Sequence, residues 1–259
     1  MENAIKFRNK IRNGQVCLGT GVSVTDPTVT EILSQMFDFV WIEMEHTAFS
    51  LETVERHVIA TRGSEAAAIV RVRWNDPVLI KPVLDMGADG VIIPMVNTVE
   101  EARAAVAACR YPPEGIRGFG PRRPAKFGQL GGPEFCRLAN EAIIVFIQIE
   151  HINAVRSLDE ILAVPGLTGV LVGPNDLSGS MGLMGQPNHP DVLQAMETVV
   201  AKARSTNVWA SVAVGGGPEV MRQWIQRGVK WMTVGGDLGF MSEAAQQTLS
   251  ALRGPTNNA

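Results

Sequence analysis

Two acidic residues draw attention first. Glu150 closes the apolar run Ile143–Ile149, and Asp176 follows the run Gly169–Gly173 at a distance of three residues. Carboxylates delivered by neighbouring strands can share a hard cation. Magnesium and manganese take oxygen ligands and keep some of their waters, so two carboxylates and a chelating substrate make a workable set. A 2-oxo acid offers one carboxylate oxygen and one keto oxygen at a suitable bite. The competing reading is a surface acid at a strand end, paired with an arginine.

Other segments behave alike. Glu43-Met44-Glu45-His46 ends one apolar run, Arg71 ends another, and Gln148 stands two residues before Glu150. Burying charge beside an apolar core is costly unless the charge is paired or metal-bound, so four such segments suggest one convergent site. The permanent charge of Arg71 suits a carboxylate or a developing enolate, and equally suits a salt bridge to Glu45 or Glu43. Arg73 alternates to the other side of the backbone and reads as structural. An imidazole is suited to proton transfer near neutrality, which makes His46 an acid–base candidate, although a single histidine after a strand is also a common structural residue. Gly173-Pro174-Asn175-Asp176-Leu177-Ser178 opens a loop whose backbone N–H groups could receive a carboxylate. Arg71, Gln148, Gly173, Pro174 and Asn175 are therefore the candidate substrate contacts. Gly235-Gly236-Asp237 is a weaker phosphate candidate that reads as a plain turn. The position of Asp85 on its own suggests nothing catalytic, and His57, His151 and His189 receive no role.

The elements that would position these groups alternate along the whole chain. Strands are expected at Val16–Val22, Phe37–Glu43, Ala67–Arg71, Gly90–Pro94, Ile143–Glu150, Gly169–Gly173, Trp209–Val214 and Lys230–Val234. Helices are expected between them, two of them announced by Asp26-Pro27 and Asp76-Pro77, an N-cap followed by proline at the first helical position. A short helix, Asn3–Arg12, comes first, and Met241–Leu252 comes last. Eight strand–helix units predict an α/β chain folded as one (β/α)₈ barrel over residues 1–259, with a short N-terminal helix. In that architecture the C-terminal strand ends carry the site. A doubly wound open sheet is the rival, but Gly19-Thr20-Gly21 lacks the remaining glycine of a dinucleotide fingerprint. Tyr111–Gly132 interrupts the rhythm with glycine, proline and arginine, and a loop of that length is usually functional or disordered.

Composition removes other classes. The 259 residues carry a net charge of −3 with 46% hydrophobic residues and no basic cluster, which argues against nucleic acid as a partner. Cys17, Cys109 and Cys136 are odd in number and form no C-x-x-C pair, against a disulfide framework or zinc site. No signal peptide or membrane-spanning run is visible, so a cytoplasmic location is expected.

The ordered motifs Glu45-His46, Val70-Arg71-Val72-Arg73-Trp74-Asn75-Asp76-Pro77, Asp85-Met86-Gly87-Ala88, Ile93-Pro94-Met95-Val96, Tyr111-Pro112-Pro113 to Gly115-Ile116-Arg117-Gly118, Gln148-Ile149-Glu150 and Gly173-Pro174-Asn175-Asp176-Leu177-Ser178 carry a resemblance. From about Gly19 to Leu252 the chain resembles the metal-dependent class II pyruvate aldolases of the 4-hydroxy-2-oxoheptanedioate aldolase (HpcH/HpaI) type. The resemblance implies aldol cleavage or formation of 4-hydroxy-2-oxo acids, giving pyruvate or a related 2-oxo acid and an aldehyde. It implies a divalent ion (Mg2+, Mn2+ or Co2+) on Glu150 and Asp176, and Arg71 against the pyruvate oxygen. It further implies His46 paired with Asp85 as the acid–base system, amides around Asn175 and Asp176 for the carboxylate, and a hexamer that exchanges the last helix. Two positions depart from the family pattern: Glu43 stands where aspartate is usual, and Gly21 near a usual tryptophan. Two alternatives stay open. One is a malyl- or citramalyl-type CoA-ester lyase, with Arg117, Arg122, Arg123 and Lys126 lining a CoA groove. The other is a degenerate barrel acting as a binding protein.

Overall fold

The computed structural model describes residues 1–253. Its strands are β1 Cys17–Val22, β2 Phe39–Glu43, β3 Ala67–Arg71, β4 Gly90–Ile93, β5 Ile144–Ile149, β6 Gly169–Val172, β7 Trp209–Val212 and β8 Trp231–Gly236. The helices are α1 Glu2–Arg12, α2 Pro27–Ser34, α3 Leu51–Ala60, α4 Pro77–Asp85, α5 Val99–Cys109, α6 Gly132–Ala142, α7 Ile152–Arg156, α8 Leu158–Leu162, α9 Pro174–Ser180, α10 Pro190–Arg204, α11 Gly217–Arg227 and α12 Asp237–Arg253. All eight strands are parallel, ordered β7-β6-β5-β4-β3-β2-β1-β8. The two outer strands meet where the Lys230 N–H donates to Ala210 O at 3.0 Å and Trp231 Nε1 to Trp209 O at 3.3 Å. The sheet thereby curls into the expected (β/α)₈ barrel.

Helix starts follow local chemistry. The carboxylates of Asp26 and Asp76 accept from Thr28 N and Val78 N at 2.9 and 2.7 Å, and Thr98 with Glu101 forms a capping box on α5. His151 and His189 also serve as caps, accepting through Nδ1 from Asn153 N and Asp191 N. Those bonds account for two of the histidines given no chemical role.

Side-chain alternation splits each strand between two cores. Val40, Ile42, Val70, Val91, Val145, Ile147 and Val170 face the helices. Phe39, Trp41, Ile69, Ile92, Phe146, Leu171 and Trp231 fill the barrel, and α1 plugs its base with Ala4, Phe7 and Ile11. The Phe146 and Trp231 rings stack at 3.8 Å with 9° between planes. Phe7 and Phe39 meet edge to face beneath them, with ring centroids 5.7 Å apart. Gly19 and Gly169 leave room for this packing, since a Cβ at either would overlap the Phe39 or Phe146 ring. Continuing the alternation past the filled layer brings Glu43, Arg71 and Gln148 inward at the mouth.

Three regions differ from expectation. The stretch Tyr111–Gly132 packs against the base: Arg117 is buried, Lys126 lies 3.9 Å from Glu2, and α6 follows with no counterpart in the periodicity reading. The helix expected between the fifth and sixth strands is two short ones broken at Ser157. The loop expected after β6 begins as the helical α9.

Candidate active site

Register sets the first pair. Glu43 and Arg71 are partners across β2 and β3, and both side chains point into the mouth. Arg71 donates from Nε to Glu43 Oε2 at 2.6 Å, and its Nη2 makes an ion-pair contact with the same oxygen at 2.5 Å. Trp41 Nε1 donates to the same oxygen at 3.1 Å, and the Trp41 ring lies 4.9 Å under the guanidinium. The other oxygen, Oε1, accepts the backbone N–H groups of Glu45 and His46 at 2.7 and 3.1 Å. Glu43 thus shapes the turn that presents His46 and also fixes the arginine. Sequence reading had left Arg71 open between substrate and a glutamate bridge, and the bridge is present.

Arg71 extends inward as well. Nη1 lies 3.0 Å from Glu45 Oε2 and 3.4 Å from Gln148 Oε1. Gln148 in turn donates through Nε2 to Glu150 Oε1 at 2.5 Å. Glu150 Oε2 accepts from the Met95 N–H at 3.1 Å, and Met95 holds a left-handed φ of 54° to make that bond. Such a conformation strains a residue with a side chain, and it persists only where the surroundings enforce it. Gly173 shapes the other flank, because a Cβ there would overlap Glu150 Oε1.

The acids crowd one another. Glu150 is 4% exposed, and its pKa is pushed up to about 7. Burial is the main cause and the charges of Glu45 and Asp176 add to it, against the Met95 N–H and Arg71. Burial also raises Glu45, and Arg71 and His46 counter part of that. Asp176 is exposed in the first turn of α9, where the leading amides have no partner inside the helix.

A divalent ion fits this donor set. The available atoms are carboxylate oxygens, and a cation among three mutually repelling acids relieves the repulsion. Among the described residues no three His, Cys, Asp or Glu side chains are arranged to hold an ion by themselves. An ion bound here would need further ligands beside the protein's carboxylates, such as substrate and water oxygens.

His46 stands at the rim with its side chain 69% exposed, Nε2 3.8 Å from Glu45 Oε2. It is not paired with Asp85 within the chain. Asp85 ends α4 at the base of the barrel, accepting from Lys81 Nζ at 2.6 Å and from Arg117 Nη2 at 2.7 Å. A strand's length, roughly 15 Å, separates the two ends. Lys230, which leads into β8, also lies at the base. Gly235-Gly236-Asp237 is not the turn expected: the two glycines end β8 and Asp237 opens α12, its carboxylate accepting from Ser23 N and Val24 N at 2.8 Å and tying β8 to the segment after β1. Arg73 braces the loop after β2 by donating to Phe49 O at 2.6 Å. Sequence reading missed Met95, whose part lies in its backbone, and the organising position of Glu43.

Residues 22–244 match the family model for HpcH/HpaI aldolase/citrate lyase. A hydroxypyruvate/pyruvate aldolase from Roseovarius nubinhibens is 35% identical over 95% of this chain and 96% of its own. A 4-hydroxy-2-oxo-heptane-1,7-dioate aldolase from Salmonella typhimurium is 35% identical over 95% of this chain and 93% of its own. A crystal structure of an HpcH/HpaI aldolase/citrate lyase family protein from Burkholderia cenocepacia superposes with a TM-score of 0.90 at 29% identity, covering 96% of this chain and 99% of that one. With a family model across most of its length and relatives of this identity end to end, the chain belongs to the HpcH/HpaI aldolase/citrate lyase family.

Proposed function

We propose that this aldolase cleaves or forms 4-hydroxy-2-oxo acids, interconverting them with pyruvate, or a related 2-oxo acid, and an aldehyde. A divalent ion (Mg2+, Mn2+ or Co2+) held by Glu150 and Asp176 would act as a Lewis acid toward the keto oxygen. The first-turn amides of α9 around Asn175 and Asp176 would receive the substrate carboxylate. His46 would take the proton from the C4 hydroxyl, directly or through water. As the C3–C4 bond breaks, its electron pair passes to the 2-oxo acid fragment and the aldehyde leaves. Arg71 is the cation placed to face that developing negative charge, and Glu43 and Gln148 hold its guanidinium in position. A proton then returns to C3.

The continuous line of contacts from Trp41 through Glu43, Arg71 and Gln148 to Glu150 carries this reading. It places a fixed cation beside a carboxylate that suits a divalent ion. Asp85 takes no part within one chain, and only a second copy could bring an Asp85 to His46. A homo-oligomer, a hexamer by family likeness, accords with α12, which exposes Leu238, Met241, Leu249 and Leu252. No helix among the described residues is long and apolar enough to cross a membrane, and the three cysteines are free thiols, which suits a cytoplasmic setting.

The CoA-ester lyase alternative has less support. Arg117 is occupied by Asp85, Arg123 lies 3.2 Å from Glu55, and their segment packs toward the base rather than the mouth. The test is pyruvate release from a panel of 4-hydroxy-2-oxo acids, with and without EDTA and with and without CoA. The proposal expects activity abolished by chelator and indifferent to CoA. Activity that survives EDTA, or that requires CoA, would overturn it.

A further inference from the structure

A cavity of about 600 Å³ opens at the base of the barrel, at the end opposite the mouth. Its rim is set by the loops that enter β6, β7 and β8 and by the ends of α5 and α6. Arg8, Arg12, Arg110 and Lys230 line it, and Ile11, Leu167 and Trp209 supply apolar surface. Few acids answer these four cations. Glu141 lines the same cavity but pairs with Arg137 at 2.8 Å, and Glu114 pairs with Arg110. No carboxylate among the described residues pairs with Arg8, Arg12 or Lys230.

Part of this cluster has structural work. Arg8 donates through Nε to Ala142 O at 2.9 Å and through Nη2 to Ile143 O and Thr168 Oγ1, holding the end of α6. Those partners are neutral, so the guanidinium charge stays uncompensated. Arg8 is depressed to about 10, by burial first and then by the charges of Arg12 and Arg110. Arg12 and Lys230 cap nothing, and their side-chain charges add repulsion to the same space. The Nε of Arg110 is buried without a hydrogen-bond partner. In a chain whose net charge is −3, a cavity lined by Arg8, Arg12 and Lys230 with no carboxylate partner among the described residues is a strong local exception.

We propose that this base cavity binds a phosphate dianion carried on a small organic body. Guanidinium forks match the oxygen geometry of phosphate and form short, charge-assisted hydrogen bonds with it. The volume lies in the usual range for small-molecule sites, and Leu167 with Ile11 would receive the organic part, since the Arg8 guanidinium already stands 5.8 Å over the Trp209 ring. The cavity is a barrel's length from Glu150 and Asp176, so this ligand is distinct from the substrate at the mouth.

The test is calorimetric titration of the full chain in EDTA at constant ionic strength, with phenyl phosphate and inorganic phosphate as separate probes. The comparison protein is the double variant Arg12→Gln/Lys230→Gln, with thermal unfolding as the check on its fold. Arg12→Glu alone, on the exposed face of α1, is the second variant. Phenyl phosphate should bind more tightly than inorganic phosphate, and each variant should weaken it about tenfold or more. Equal affinity in wild type and variants would place the phosphate elsewhere and overturn the site. No heat at millimolar phenyl phosphate would also overturn it, and equal affinity for the two probes would remove the organic body from the proposal.

Discussion

Arg71 and Glu43 face each other across β3 and β2, joined by a hydrogen bond of 2.6 Å from Nε and an ion-pair contact of 2.5 Å from Nη2 to the same carboxylate oxygen. The same glutamate carries the turn that displays His46. One side chain therefore fixes both the arginine and the turn that bears His46. Arg71→Lys keeps the charge but loses the fork. We expect kcat to fall about a hundredfold or more, a loss of the size seen when one transition-state hydrogen-bond donor is removed. Steady-state kinetics on the pyruvate-releasing substrate would check this, and unchanged kcat would exclude Arg71 from the reaction.

Glu150→Gln keeps the shape of the side chain and removes its charge. The variant should fold, bind Mn2+ at least tenfold more weakly by calorimetry, and lose most of its activity. Mn2+ affinity equal to wild type would remove Glu150 as a ligand.

Gly173→Ala tests the same carboxylate from its neighbour. The added methyl overlaps Glu150 Oε1, so the carboxylate or the start of α9 must move. Overpacking of this kind typically costs about 1–3 kcal/mol. Urea unfolding should show that loss, and Mn2+ affinity should fall with it. A variant as stable and as tight-binding as wild type would contradict the close approach.

His46→Asn should leave stability intact, because the side chain is 69% exposed. A general acid–base group contributes about 10²–10⁴-fold to rate. We expect kcat to drop within that range and the pH–rate profile to lose one limb. A profile unchanged in shape would assign the proton transfer elsewhere.

His57 predicts how stability depends on pH. It is buried, its Nδ1 lies 2.7 Å from Thr30 Oγ1, and its ring stacks on Phe49 at 5.2 Å. Burial pulls its pKa below the ordinary 6.5, outweighing the charges of Asp237 and Asp26. The unfolded chain therefore takes up a proton that the folded one refuses as pH falls through that value. Stability should decline on acidification below about pH 6.5, by at most ~1.4 kcal/mol per pH unit from this group. Urea midpoints for wild type and His57→Gln between pH 7.5 and 5.5, a range chosen to span the imidazole titration, should show a shallower decline in the variant. Parallel declines would acquit His57.

Much of this was legible in the residue pattern. Period two, carried past the apolar layer, puts Glu43, Arg71 and Gln148 at one mouth, and β3 runs Ala67–Arg71 as expected. What escaped lies outside that pattern. The part of Met95 is played by a backbone N–H in a left-handed conformation, to which side-chain chemistry gives no clue. α9 was hidden because Gly173, Pro174 and Gly179 read as loop residues, although proline at the first helical position is well tolerated. Asp85 was assigned to His46 by likeness alone. Its place at the end of a helix puts it at the base, where Lys81 and Arg117 answer its charge.

The stacked Phe146 and Trp231 rings floor the barrel below the site. Among the described residues those rings and the side chains packed around them fill the cylinder, so incoming acceptor, departing aldehyde and departing keto acid would share the open mouth. Traffic through it is sequential: whichever fragment lies nearer the rim must clear before the deeper one can follow. Added aldehyde and added pyruvate should therefore inhibit with different kinetic patterns.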